Sequence, residues 1–237
     1  MVEPLEEPAA ALVWSKTRRT PRRQAPSVER IVATAIAIAD AEGLPALSMR
    51  RVAADLGSGT ASLYRYVAGR DELVDLMIDT VHGEDPLPAP TGDWRADLSH
   101  VARQLRTVLL RHPWLGSELP GRPTLGPNSL RRMEACLAAA SALTPDISRA
   151  VDAVEAVLAY TLGAVGTELA ELRAQQRSGL TEDQWRASVA PYIREVVDSG
   201  AYPQFARRVI EAEDADPEQR FGFGLSCMLD GVAARVG

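Results

Sequence analysis

The sequence predicts an all-α fold, with an N-terminal helix-turn-helix DNA-binding domain followed by a larger helical domain. Three observations carry this. Of 237 residues, 46% are hydrophobic but only 5% are aromatic, and the apolar residues are chiefly Ala, Leu and Val, which suits packed helices better than sheets. Apolar residues recur three and four positions apart through most of the chain, and no alternating strand-like run stands out. Finally, two short amphipathic segments joined by a glycine turn, within residues 48–66, have the layout of a helix-turn-helix.

Each element follows from its own residues. Residues 1–26 contain Pro4, Pro8, Pro21 and Pro26 with no helical period, and are expected to form a mostly disordered tail. Ser27 can cap a helix whose Ile31, Ala35, Ile38 and Ala39 make one apolar stripe, and Gly43 stops it. A short helix is expected from Ser48 to Leu56, with Gly57 supplying the turn. Ser58 is then expected to cap a second short helix from Gly59 to Tyr66. After Gly69, DELVDLMIDTVH opens with acids, as a helix dipole favours. Segment 83–92, GEDPLPAPTG, reads as a linker. The boundaries are therefore 27–83 for the DNA-binding domain, 84–92 for the linker and 93–237 for the second domain. Further helices are expected over 93–112, 128–141, 146–176, 181–198 and 217–236. The stretches HPWLGSELPGRPTLGPN, YPQF and EAEDADPE are expected to be irregular.

Charge is segregated. Residues 14–70 contain ten basic residues against four acids, whereas the remainder is acidic and the whole chain carries −6. A basic block on an acidic body attracts phosphate at one end only, although a solvated charged face reads the same way on charge alone. The run Lys16, Arg18, Arg19, Arg22 and Arg23 could track phosphate or enter a minor groove, or be a solvated tail.

Several function classes are disfavoured. No stretch approaches the ~18 charge-free apolar residues of a bilayer crossing, and the acidic N-terminus is the reverse of a secretory signal. A soluble cytoplasmic protein is expected. Cys136 and Cys227 make no disulfide framework and are expected to be buried. His82, His100 and His112 are scattered, so no metal cluster is expected. There is no nucleophile–base spacing and no phosphate loop, so neither an enzyme nor a cofactor is expected.

The chemistry-bearing segment is RRVAADLGSGTASLYRYV. Ala53 is small where the two helices cross, and Leu56 and Leu63 point into a shared core with Val52. The second helix opens with Gly59, Thr60, Ala61 and Ser62, small enough to let a helix N-terminus enter a major groove. Thr60, Ser62, Tyr64, Arg65 and Tyr66 can then reach base edges or phosphates.

The longer segment LSMRRVAADLGSGTASLYRYVAGRDELVDLMID resembles the DNA-binding region of the tetracycline-repressor family. That resemblance implies that Arg50 reads the groove, and that Thr60, Ser62 and Arg65 face bases or phosphates. It also implies that Tyr64, Tyr66 and Arg70 anchor the DNA backbone. Thr60, Ala61 and Arg65 replace different side chains of the tetracycline repressor itself, so a different operator is expected.

The segments DWRADL, RHPWL, LPGRPTLGPNSL and AYTLGAVGTELA are similar to the C-terminal domain of the same subclass. The resemblance implies a small-molecule site inside each subunit and a homodimer built from the helices at 146–176 and 217–236. It places Arg122 in a loop bordering the pocket, with Asn128 a weaker candidate. His100 is positioned to face the pocket or solvent, and Val101, Leu105, Leu109, Met133, Leu137 and Tyr160 are positioned to line a cavity, or to be ordinary core. Their character points to a largely apolar effector. The magnesium–histidine chelate of the tetracycline repressor does not carry over, because GSELPGRP has Glu118 and no histidine. Trp94 and Trp114 are expected to be structural, His82 a helix-end residue and His112 a pre-proline loop residue.

The expected function is a ligand-responsive regulator, most simply a repressor released from double-stranded operator DNA by a small molecule. The alternatives are an activator or architectural DNA binder without a ligand and, more remotely, a helical carrier or enzyme.

Overall fold

The computed structural model describes Trp14 and residues 27–86, 88–121 and 123–236, and the described residues contain helices and no strand. In chain order the helices are α1 (Val28–Glu42), α2 (Met49–Asp55), α3 (Thr60–Leu63), α4 (Arg70–His82), α5 (Trp94–Arg111), α6 (Leu115–Glu118), α7 (Pro127–Ser141), α8 (Ile147–Ser178), α9 (Glu182–Asp198), α10 (Pro203–Glu211) and α11 (Pro217–Val236). Packing divides the chain into two compact units between Val154 and Glu155, inside α8.

In the first unit, α1 starts where the sequence allows a cap. Ser27 Oγ accepts the backbone N–H of Arg30 at 3.3 Å, and Ile31, Ala35, Ile38 and Ala39 are buried. Gly43, at φ +82°, ends the helix, and a 3₁₀ turn, Leu44–Ala46, carries the chain onward. Ser48 caps α2 by accepting from Arg51 N. Gly57 turns the chain at φ +62°, a conformation that favours glycine.

Four details depart from expectation. First, Ser58 is no cap: its Oγ is buried without a hydrogen-bond partner, and Gly59 occupies the cap position of α3. The α3 helix closes only four residues, and Tyr64–Tyr66 continue as a turn. Second, Leu56 is only half-buried, because it already lies past the end of α2, while Val52, Ala53 and Leu63 form the shared core. Third, the stretches 112–128 and 199–211 each contain a helix, α6 and α10. Pro203 sits in the first turn of α10, where its missing N–H costs nothing. Fourth, α8 is long and apolar enough, by length and composition, to cross a bilayer. The helix carries Asp152 and Glu155, and its buried Ala150, Val154, Val157, Val165 and Leu169 form a core-facing stripe.

A polar joint ties α4 to α7. The carboxylate of Asp79, 4% exposed, accepts the backbone N–H groups of Ser129 at 2.8 Å and Asn128 at 3.0 Å. Asn128 Nδ2 donates to the same carboxylate and to the Asp79 carbonyl. An acid from one helix therefore caps the N-terminus of another, a favourable placement for negative charge. Gly126 is required beside it, since a Cβ there would lie 2.2 Å from Asp79 Oδ1 and 2.7 Å from the Trp14 ring. A second joint links α1, the end of α4 and α5. The buried His112, C-cap of α5, has Nδ1 2.8 Å from Asp40 and Nε2 3.0 Å from Glu84, and the Trp114 indole N–H donates to Asp40 at 2.7 Å. Trp114 is thus structural, as expected.

In the second unit, Phe221, Leu225, Leu229 and Val232 form the buried stripe of α11. Cys227 is exposed rather than buried, because it projects away from that stripe, whereas Cys136 on α7 is buried as expected. The Tyr160 hydroxyl donates to the Phe221 carbonyl at 2.7 Å, and Gly224 leaves room for its ring. Thr181 and Gln184 form a capping box that starts α9.

Asp79→Ala is expected to cost about 3 kcal/mol in urea unfolding, because it strips two buried N–H groups and an amide of a charged acceptor. A loss below about 0.5 kcal/mol would show that α7 does not depend on this cap.

Candidate nucleic-acid interface and effector cavity

Two adjacent arginines on α2 have different fates. Arg51 makes a two-pronged pair with Glu42 of α1, at 2.7 and 3.1 Å, and its Nε donates to Asp55 at 3.1 Å. Both carboxylates raise its pKa further above the ordinary arginine range. Arg50 is exposed. The ion-pair geometry therefore ties α2 to α1 through Arg51 and leaves Arg50 directed to solvent.

Beyond the Gly57 turn, Tyr64 is 52% exposed, Arg65 is exposed, and Thr60, Ser62 and Tyr66 are partly exposed. Arg65 Nη2 donates to Ser62 Oγ at 2.9 Å, so two of the expected DNA-facing side chains contact each other. Leu63 and Val67 are buried and lock α3 to the unit's core. Arg70 is held differently: its guanidinium donates to the Leu47 carbonyl at 3.3 Å and the Leu44 carbonyl at 3.2 Å. It thereby staples the start of α4 to the 3₁₀ turn before α2, a structural role that spacing alone did not reveal.

Arg122 and the basic residues 16–23 lie outside the described residues. The other effector-side candidates divide. Val101, Leu105 and Leu109 are buried along α5. His100 is exposed and lines, with Val101, a partly open cavity of about 230 Å³ whose other walls include Pro88, Pro90, Thr91 and Ala135 and Ala139 of α7. These two alanines were missed; the signal was the small-residue run ACLAAA, which leaves space beside a helix. Asp97 at the cavity edge accepts the backbone N–H of Thr91 at 2.9 Å. Met133 is 43% exposed and Leu137 half-buried. Tyr160 belongs to the second unit and uses its hydroxyl on Phe221. Among the described residues, no group of three or more His, Cys, Asp or Glu is arranged to hold a metal.

A buried polar cluster joins the C-terminal end of α4 to α7. His82 Nδ1 lies 3.0 Å from Ser129 Oγ, and burial, reinforced by the Arg132 charge, pushes its pKa down to about 4. Arg132 is itself held below the usual arginine range by burial, and it donates to Gln104 Oε1 at 3.0 Å. Gln104 Nε2 donates to the Asp85 carbonyl at 2.7 Å, which fixes the segment leading into α5.

The comparisons with known proteins bear on this arrangement directly. Residues 86–236 match the family model described as the tetracyclin repressor-like, C-terminal domain. The HTH-type transcriptional repressor DrrR1 of Streptomyces coeruleorubidus is 42% identical over 231 residues, covering 95% of this chain and 84% of that protein. The chain belongs to the tetracycline-repressor family. Within that family it also resembles the class A tetracycline repressor from transposon 1721 of Escherichia coli, at 26% identity over 86% of this chain and 89% of the repressor. Among solved structures, ActR of Streptomyces coelicolor in complex with actinorhodin superposes with a TM-score of 0.74. Its sequence identity is 30%, over 90% of this chain and 97% of that one. As a tetracycline-repressor family member, the chain is a transcriptional regulator with an N-terminal helix-turn-helix and a C-terminal ligand-binding domain.

His82 gives this family member a pH signature. Between pH 6.5 and about 4 the unfolded chain protonates this histidine while the folded chain refuses the proton, so stability falls as pH drops through that window. His82→Asn keeps a group at the Nδ1 position and removes the titration. The expected result is a flatter decline of unfolding free energy with acid, by up to roughly 3 kcal/mol across the window. Identical slopes in the two proteins would contradict the buried neutral state.

Proposed function

We propose that this chain is a homodimeric repressor that leaves its operator when a largely apolar small molecule binds the C-terminal domain. The single observation that carries the proposal is the 42% identity, over nearly the whole chain, to a transcriptional repressor. The geometry is consistent with it. Arg50, Tyr64 and Arg65 are exposed and Thr60 and Ser62 partly so on a helix-turn-helix, and we assign them to bases and phosphates. Tyr66 and Arg70 are assigned to the DNA backbone, Arg70 through the turn that it fixes.

Homodimerisation is supported by the apolar residues the second unit leaves exposed, including Phe223 of α11 at 74% and Leu172 of α8 at 46%. Such residues gather at interfaces between copies. Two copies would present two recognition elements to a near-palindromic site. The effector assignment rests on the cavity at His100 and Val101 and on ActR, which has been solved with actinorhodin. Leu105, Leu109, Met133, Leu137, Tyr160 and Arg122 remain assigned to the ligand-binding domain as candidates for the same role. A ligand can shift such a protein off DNA only by binding its two arrangements unequally.

Fluorescence anisotropy on the DNA beside the protein's own gene tests this. Operator binding is expected to exceed random DNA of equal length by about 10³ or more. Arg50→Ala is expected to cost about 1–3 kcal/mol on the operator and much less on random DNA. Equal losses on both would remove Arg50 from base reading. A panel of polycyclic aromatic compounds, actinorhodin among them, is expected to contain one that both raises the melting temperature and weakens operator binding. Stabilisation without loss of operator affinity would refute release by ligand.

A further inference from the structure

Trp14 stands well before the first helix, yet its side chain is placed against the joint between α4 and α7. A Cβ added to Gly126 would lie 2.7 Å from Trp14 Cζ2. Trp14 lines an open cavity of about 780 Å³ whose apolar walls include Val32 and Ile36 of α1, Leu76 of α4, and Leu125 and Leu130 at the start of α7. The indole lies where these apolar walls meet the Asp79 carboxylate, with Glu29 and Glu84 also lining the groove, and glycine at 126 lets the ring approach the backbone. Trp14 is half-buried.

Chain length sharpens the point. Twelve residues, 15–26, connect Trp14 to Ser27, and they contain Lys16, Arg18, Arg19, Arg22 and Arg23 and no acid. With Ser27 capping α1 and Trp14 held in the groove, that segment is tethered at both ends. Twelve residues span at most about 40 Å when fully extended. A segment joined to the folded unit at both ends cannot carry its charges far from that unit, and charge held near a nucleic-acid site has a raised effective concentration at the phosphates.

We propose that the α1–α4–α7 groove is the docking site of this chain's own N-terminal arm, with Trp14 as its anchor, and that docking holds the arm's basic run against the DNA backbone. The second half rests on the DNA-binding reading above; the first does not. The anchor gives sequence-independent affinity, since it delivers charge to phosphates and no side chain to base edges.

The test uses full-length protein labelled with 5-fluorotryptophan, which carries four tryptophans. Trp14→Phe assigns the Trp14 ¹⁹F resonance. That resonance is expected to show a small solvent isotope shift in wild type and the shift of a solvated indole in Leu130→Glu, which alters the exposed rim of the groove. On random DNA at low salt, Trp14→Ala and Leu130→Glu are each expected to weaken binding three- to tenfold. Each should also lower the slope of log Kd against log salt by about one. A fully solvated Trp14 resonance in wild type overturns the docking, and so does a change of that resonance on dilution, which would mark a second copy as the occupant. A variant with all five basic residues changed to alanine that loses affinity, while Trp14→Ala does not, overturns the anchoring role. Wild type that binds no DNA sinks the DNA-binding reading and leaves the resonance to decide the docking alone.

Discussion

The carboxylate of Asp79 is the constraint around which the first unit is arranged. It is buried, and burial is tolerable only because two backbone N–H groups and an amide converge on it. Those donors belong to the first turn of α7, so α7 must begin where α4 presents the acid. Residue 126 must then be glycine, and the groove that receives Trp14 lies on the same joint. His112 does the equivalent work for α1 and α5, since an imidazole with a carboxylate at each nitrogen couples three segments at once.

Much of this is legible in the sequence. The helices α1, α2, α4, α5, α7, α8, α9 and α11 follow from caps, glycine stops and three-to-four spacing, and their ends fall within two residues of expectation. The α10 segment was misread because YPQF looks like a turn. Proline followed by polar and apolar residues at helical spacing is in fact a start signal. The α3 helix was overestimated chiefly at its C-terminal end, where Tyr64–Tyr66 form a turn; at its start, Gly59 rather than Ser58 takes the cap position, without offering a side-chain oxygen.

The polar and basic residues of the helix-turn-helix were legible as a group, but which are exposed and which are tied to the fold was not. Arg50 and Arg51 are neighbours of one type, and the placement of Glu42 nine residues away, with Asp55 four residues on, separates the exposed guanidinium from the paired one. Arg70 likewise looks like a free cation in the sequence, yet it serves two carbonyls more than twenty residues upstream. The pairs Asp79–Ser129 and Asp40–His112 are separated by 50 and 72 residues. No local pattern encodes contacts of that range. On the effector side, bulky apolar residues were nominated as walls, whereas the cavity beside α5 exists because Ala135 and Ala139 are small.

The two cysteines give the chain an unplanned convenience for the chemist. Burial pushes the Cys136 thiol up and hides it from reagents, while Cys227 sits exposed on α11. Because only the thiolate attacks a maleimide or a methanethiosulfonate, reaction is confined to one position. A nitroxide or fluorophore can thus be installed on α11 of the unmutated protein. In an assembly of two copies that label would report the separation between their last helices as operator or effector is added.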